Sequence, residues 1–201
     1  MSLRLGTGHG ALASAGMVSL WNASSLIKSV QSGIFSTGGA SSGNVTINAV
    51  DPSNSLVLHN GHRTDTGYGL GADGGVLKIT SSTNVSITKI TYTTTDLVTF
   101  IVVEFMPGII KSIQRGHVQF GASTSAINLT VTAVDLNKTG LFFNGRHRFY
   151  ADNNLPGSGG AASESYSAFT STTNLQWVKQ SGGDGSGGEA SYEGYQIVEF
   201  F

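Results

Sequence analysis

His59 and His62 stand three residues apart around Asn60-Gly61, in a chain where charged residues make up only 11% of the total. Two imidazoles at that spacing could share a metal ion, but no carboxylate lies beside them to complete a usual ligand set. The second Asn-Gly, Asn144-Gly145, has Phe143 and Arg146 at the matching positions, so the histidine pair does not recur. Basic groups do recur. His62-Arg63 follows the first Asn-Gly and Arg146-His147-Arg148 the second. Guanidinium and imidazolium donors grouped after a turn suit a carboxylate, an acidic sugar or a partner subunit. The candidate contact residues are therefore His59, Asn60, His62, Arg63, Asn144, Arg146, His147 and Arg148.

Glu104 and Glu199 are acids repeated in matching contexts, each flanked by apolar residues. Paired carboxylates can perform acid–base work on a glycosidic bond. Here each acid is accompanied by an equally repeated cation, Lys28 or Lys111, and a structural Lys–Glu pair is the expected role. Gly6-Thr7-Gly8-His9-Gly10 lacks the preceding strand and following helix that a phosphate-cradling loop needs. Asp73-Gly74-Gly75 and the run from Gly182 to Glu189 lack the nonapeptide period of glycine-aspartate calcium loops. The Gly-x-Ser-x-Gly within that run has no strand before it. No catalytic site, metal or cofactor is expected, and the chain reads as a non-enzyme.

The elements that position these residues are short strands organised as a duplication. Ile27-Lys28-Ser29-Val30-Gln31-Ser32-Gly33 returns 83 residues later as Ile110-Lys111-Ser112-Ile113-Gln114-Arg115-Gly116, with five of seven positions identical. Three more blocks follow in the same order: Val45 to Asp51 with Leu129 to Asp135, Thr80 to Val85 with Thr170 to Leu175, and Val102 to Phe105 with Ile197 to Phe200. The offset only grows, which places the extra residues of the second copy in its loops, where insertions leave strand register intact. Val45, Ile47 and Ala49 alternate with polar residues, the period of a half-buried strand. Asn-Gly supplies the backbone dihedrals of tight hairpins, so a turn is predicted at Asn60-Gly61 and at Asn144-Gly145. The predicted fold is all-β: two tandem antiparallel β-sandwich or barrel-like modules, 26–106 and 107–201, joined almost without a linker, after an extended N-terminal arm over 1–25.

Composition narrows the partners. Gly accounts for 28 of 201 residues and charge falls well below the roughly 25% of an average protein, while 39% hydrophobic residues suffice for a core. A net charge of −1 gives no field to gather nucleic acid or an anionic membrane. The N-terminal stretch is interrupted by glycines where a signal peptide needs a continuous apolar core, so neither cleavage nor membrane insertion is expected. The chain has no Cys, which suits folding in a reducing host cytoplasm.

The two Ile-Lys-Ser blocks, with Val102-Val103-Glu104-Phe105 and Ile197-Val198-Glu199-Phe200, resemble a repeat of tailed-bacteriophage virion proteins. In that family an Ile-Lys-Ser-Ile-Gln-Arg-Gly opening and a Gln-Val-Val-Glu-Phe close bracket a β module. Copy two keeps Gln196, copy one has Ile101 there, and the family's preceding Trp is missing from both. The resemblance covers nearly everything after the arm. It implies a structural virion component made in the host cytoplasm, on the tail or as a decoration on the head. The expected partners are other copies of the chain, as a trimer or another homo-oligomer, other virion proteins, and a host surface glycan.

Overall fold

The computed structural model describes residues 26–36, 40–64, 75–89, 96–121, 124–148, 165–179 and 191–201. The arm predicted over 1–25 and the glycine run after Lys179 lie outside the described residues. The fold is all-β, as the periodicity predicts. Copy one contains β1 (Ile27–Ser36), β2 (Ser42–Thr46), β3 (Ser55–Thr64), β4 (Val76–Ser81), β5 (Asn84–Thr88) and β6 (Asp96–Phe105). Copy two contains β7 (Ile110–Phe120), β8 (Ala126–Thr130), β9 (Thr139–Arg148), β10 (Ser165–Ser171), β11 (Asn174–Lys179) and β12 (Ser191–Phe200).

Each copy folds into two three-stranded antiparallel sheets, in the orders β1-β6-β3 and β2-β5-β4, then β7-β12-β9 and β10-β11-β8. The connectivity of the second pair reproduces that of the first. The sheets of a copy face each other across an apolar core. Phe35, Val57, Phe100 and Val102 meet Leu77, Ile79, Val85 and Ile87 in copy one. Val118, Phe120, Tyr195 and Ile197 meet Leu175 and Trp177 in copy two.

The repeated sequence blocks have identifiable jobs. In β1 the register slips between Ile27, opposite Phe105, and Ser29, opposite Glu104. A bulge of this kind places two successive residues opposite one. Lys28 and Ser29 therefore both reach Glu104, at 2.8 and 3.0 Å. Copy two repeats the slip between Ile110 and Ser112. Gln31 bridges the two sheets by accepting from Asn48 N at 2.8 Å and donating to Asn48 O at 3.0 Å. Gln114 does the same with Thr132, at 2.7 and 2.9 Å. The side chain thus replaces a strand partner, and β2 ends at Thr46 although the alternating pattern runs on to Ala49.

Gly33 and Gly116 lie opposite Phe100 and Tyr195, and each leaves room for that aromatic ring to lie across the strand. A Cβ at Gly33 would overlap the Phe100 ring, which is fully buried. Gly33→Ala is therefore expected to destabilise the chain by about 2 kcal/mol through overpacking, despite the usual gain from removing a strand glycine. Thermal denaturation measures this, and an increase in Tm would contradict the packing account.

Candidate functional site

The predicted hairpin turns at Asn60-Gly61 and Asn144-Gly145 are not turns. Both pairs lie inside ten-residue strands, β3 and β9. Register slips there, between His59 and Gly61 in one copy and opposite Gly194 in the other, so each pair forms a β-bulge. The glycines have φ of 147° and 117°. A positive φ at glycine serves a bulge as well as a hairpin, and this is why the dipeptide alone misplaced the reversal. The chain reverses instead at the third repeated block, where β4 meets β5 and β10 meets β11.

The candidate contact residues separate accordingly. Asn60 and His62 are exposed and His59 is half-buried, with the two imidazole rings 6.0 Å apart. Arg63 lies on β3 opposite Leu97, and Arg146, His147 and Arg148 lie on β9 opposite Glu193, Tyr192 and Ser191. The side chains of these four lie outside the described residues. Asn144 departs most from expectation. It is buried, and its Nδ2 donates to Leu77 O of copy one at 2.7 Å, so it cannot serve as a surface contact. Among the described residues no group of three or more His, Cys, Asp or Glu side chains could hold a metal ion.

Both repeated glutamates are committed to the framework. Glu104 Oε1 accepts from Lys28 Nζ and from Asp51 N at 2.9 Å, while Oε2 accepts from Ser29. Glu199 is held identically by Lys111 at 2.9 Å, Asp135 N at 3.0 Å and Ser112 at 3.3 Å. Burial pushes the Glu104 carboxyl up, but the bonds from Lys28, Asp51 N and Ser29 together outweigh it and hold the group below its ordinary value. The bond from Lys111, then that from Asp135 N, holds Glu199 low as well. Asp51 and Asp135 follow at the start of 3-10 turns, where each accepts from the backbone N–H two residues on.

What the sequence did not single out is the joint between the copies. Gln196 on β12 is fully buried and faces the edge of β3 that β6 leaves free. It accepts from Val57 N at 3.1 Å and donates to Val57 O at 2.6 Å, which satisfies both groups of an otherwise orphaned edge. Arg115 on β7 donates from Nη2 to Pro52 O at 2.6 Å and also to Ser55 O. Burial lowers its pKa to about 10, so it stays charged at neutral pH. Leu56 packs with Ile110 and Val198 in a third apolar cluster, edged by Leu58, Phe105, Ile113, Phe142 and Phe200. A Cβ at Gly145 would overlap Gly75 O, so the copies touch backbone to backbone.

The available signal was difference rather than identity. Within the first block the five identical residues build the module, and the two that differ, Val30/Ile113 and Ser32/Arg115, lie on the outer face of the sheet. Gln196 replaces Ile101 on that same face. Comparison with protein-family models, with curated proteins and with solved structures finds no match to the chain.

Proposed function

We propose that this chain is a non-enzymatic structural component of a bacteriophage virion, tail-associated, made in the host cytoplasm and assembling there with copies of itself. The observation that carries the reading is the employment of the motif residues. The polar motif side chains that recur in both copies, Lys28 and Lys111, Ser29 and Ser112, Gln31 and Gln114, Glu104 and Glu199, are each used to hold a sheet, a turn or a strand end. Repeated acids with their oxygens committed in this way support a scaffold over a hydrolase acting on polysaccharide. Duplication supports a symmetric oligomer, because a trimer of two-module chains offers six similar units to a six-fold support.

Light scattering on the purified full chain is expected to give a mass three times that of the monomer, and imaging of the intact particle to place its density on the tail. Density on the head would instead favour a decoration role. A chain that stays monomeric at high concentration and is missing from purified particles would overturn the reading. The exposed Asn60 and His62 leave host-glycan contact open to a direct measurement: adsorption unchanged by Arg63→Ala with Arg146→Ala and Arg148→Ala would remove it.

A further inference from the structure

The two copies treat the outer strand of their first sheet differently. β1 and β7 each stand at the end of a sheet, with no neighbouring strand beyond them among the described residues. The outer face of β7 is covered: Ile113 packs into the third apolar cluster and Arg115 reaches Pro52 O of copy one. At the matching positions of β1, Val30 is 59% exposed and Ser32 is exposed, and Ile34 further on is 65% exposed. The Leu56, Leu58 and Phe105 side of that sheet already packs on copy two, so what stays uncovered is the β1 margin.

Backbone groups face outwards along the same margin. Val57 turns its N–H and C=O to Gln196, away from β6. Antiparallel pairing then alternates across the sheet. Val102, opposite Val57, exchanges its backbone bonds with Gln31, and Val30, Ser32 and Ile34 point their N–H and C=O groups off the edge. Edge strands are ordinarily guarded by charge, proline or a covering segment. After Lys28, β1 has neither charge nor proline, whereas β7 carries Arg115 and His117. Beside the β1 edge a groove of about 430 Å³ opens between residues 30–33 and 45–48, lined in part by Val45 and Ile47.

We propose that this edge receives residues 11–21 of a second chain as an added strand. The inference rests on the self-assembly reading above and names the segment that joins the chains. Residues 1–25 lead directly into β1 at Leu26. Within them, 11–21 match β1 in length and contain no charged residue and no proline. As a strand, this segment places Leu12, Val18 and Leu20 on one face, alongside Val30 and Ile34, and Ala13, Ala15 and Met17 on the other, towards the groove. Main-chain bonds to Val30, Ser32 and Ile34 hold it, and the groove takes its alternate side chains.

The chain's own arm is poorly placed for this edge. Met106 N donates to Leu26 O at 2.8 Å, which carries the pairing with β6 one residue past β1. The bulge at Lys28 then interrupts the edge where a hairpin would have to begin. A second chain approaches β1 beyond the bulge. An arm passed from each chain to the next in one sense is a heterologous contact, and it closes into a ring such as the trimer proposed above.

The test uses the full chain. Ser32→Pro removes one outward N–H and leaves the ladder to β6 intact, while Val18→Asp with Leu20→Asp charges the arm outside both modules. Each is expected to weaken self-association about 100-fold by analytical ultracentrifugation, with the Tm of the dissociated chain unchanged. The chain has no native Cys. Chains carrying only Ser32→Cys, mixed with chains carrying only Ser14→Cys or Ser19→Cys, are therefore expected to be joined by a short bis-maleimide. Self-association that survives both the Pro and the Asp variants, or a mixture that gives no cross-link from the arm to 32, overturns the strand exchange and leaves the self-assembly reading intact. Cross-linking that needs both cysteines on one chain places the arm on its own module and overturns the exchange as well. A wild-type chain that is monomeric at every concentration overturns both readings.

Discussion

Gln196→Ala is expected to cost about 4 kcal/mol of folding stability. The side chain is fully buried, and its removal leaves Val57 N–H and Val57 C=O inside the joint without a partner. An orphaned buried backbone group costs about 1–3 kcal/mol, two are orphaned here, and a small cavity adds to the loss. Gln31 and Gln114 make the same pair of bonds to Asn48 and Thr132 within each module, but those bonds are exposed, whereas the pair made by Gln196 is buried. Urea denaturation gives the magnitude. Limited proteolysis between Glu104 and Lys111 gives the location, since a loosened joint exposes the short connection there. Ile101→Ala, at the equivalent place on a half-buried face, is expected to cost about 1 kcal/mol. Equal effects from the two substitutions would mean that the joint is not what Gln196 stabilises.

Glu104→Ala is expected to cost about 3 kcal/mol. Lys28 is about half exposed, so the ion pair itself contributes little. The loss comes from the Asp51 N–H and the Ser29 hydroxyl, whose acceptor disappears in a part-buried setting, and from loosening the 3-10 turn that supplies Pro52 O to Arg115. The same residue links stability to pH. Glu104 and Glu199 are both held below their ordinary value of 4.5 in the folded chain, so in acid the unfolded chain binds more protons. Their contribution is complete above that value and is lost as pH falls through it towards the lowered folded-state values. Tm should fall on going from neutral to about pH 3, and Glu104→Gln should flatten the profile. A Glu104→Gln profile as steep as the wild-type one would exclude Glu104 as a source of the acid sensitivity.

Local patterns in the sequence already determined the module. Alternation at Val45 and Leu129, the absence of helical periodicity and the recurring blocks specify short antiparallel strands. The paired recurrence of lysine with glutamate specifies the Lys28–Glu104 and Lys111–Glu199 bonds, because a charge kept in both copies of a charge-poor chain needs its partner in both. The bulges were not legible. Asn-Gly favours the same positive φ in a hairpin and in a bulge, and only the neighbouring strand decides between them: β6 runs on past Gly61 and β12 past Gly145.

The joint was decided by tertiary structure alone. Arg115, Asn144 and Gln196 carry no local signal of their role, since each is an ordinary polar residue on a strand. Their meaning depends on which backbone groups the other copy leaves without partners, and those groups are identified only once β3 is known to be an edge strand. The repeat therefore determined what each copy is. Packing decided how the copies meet, because edges and outer faces exist only after the sheets have formed.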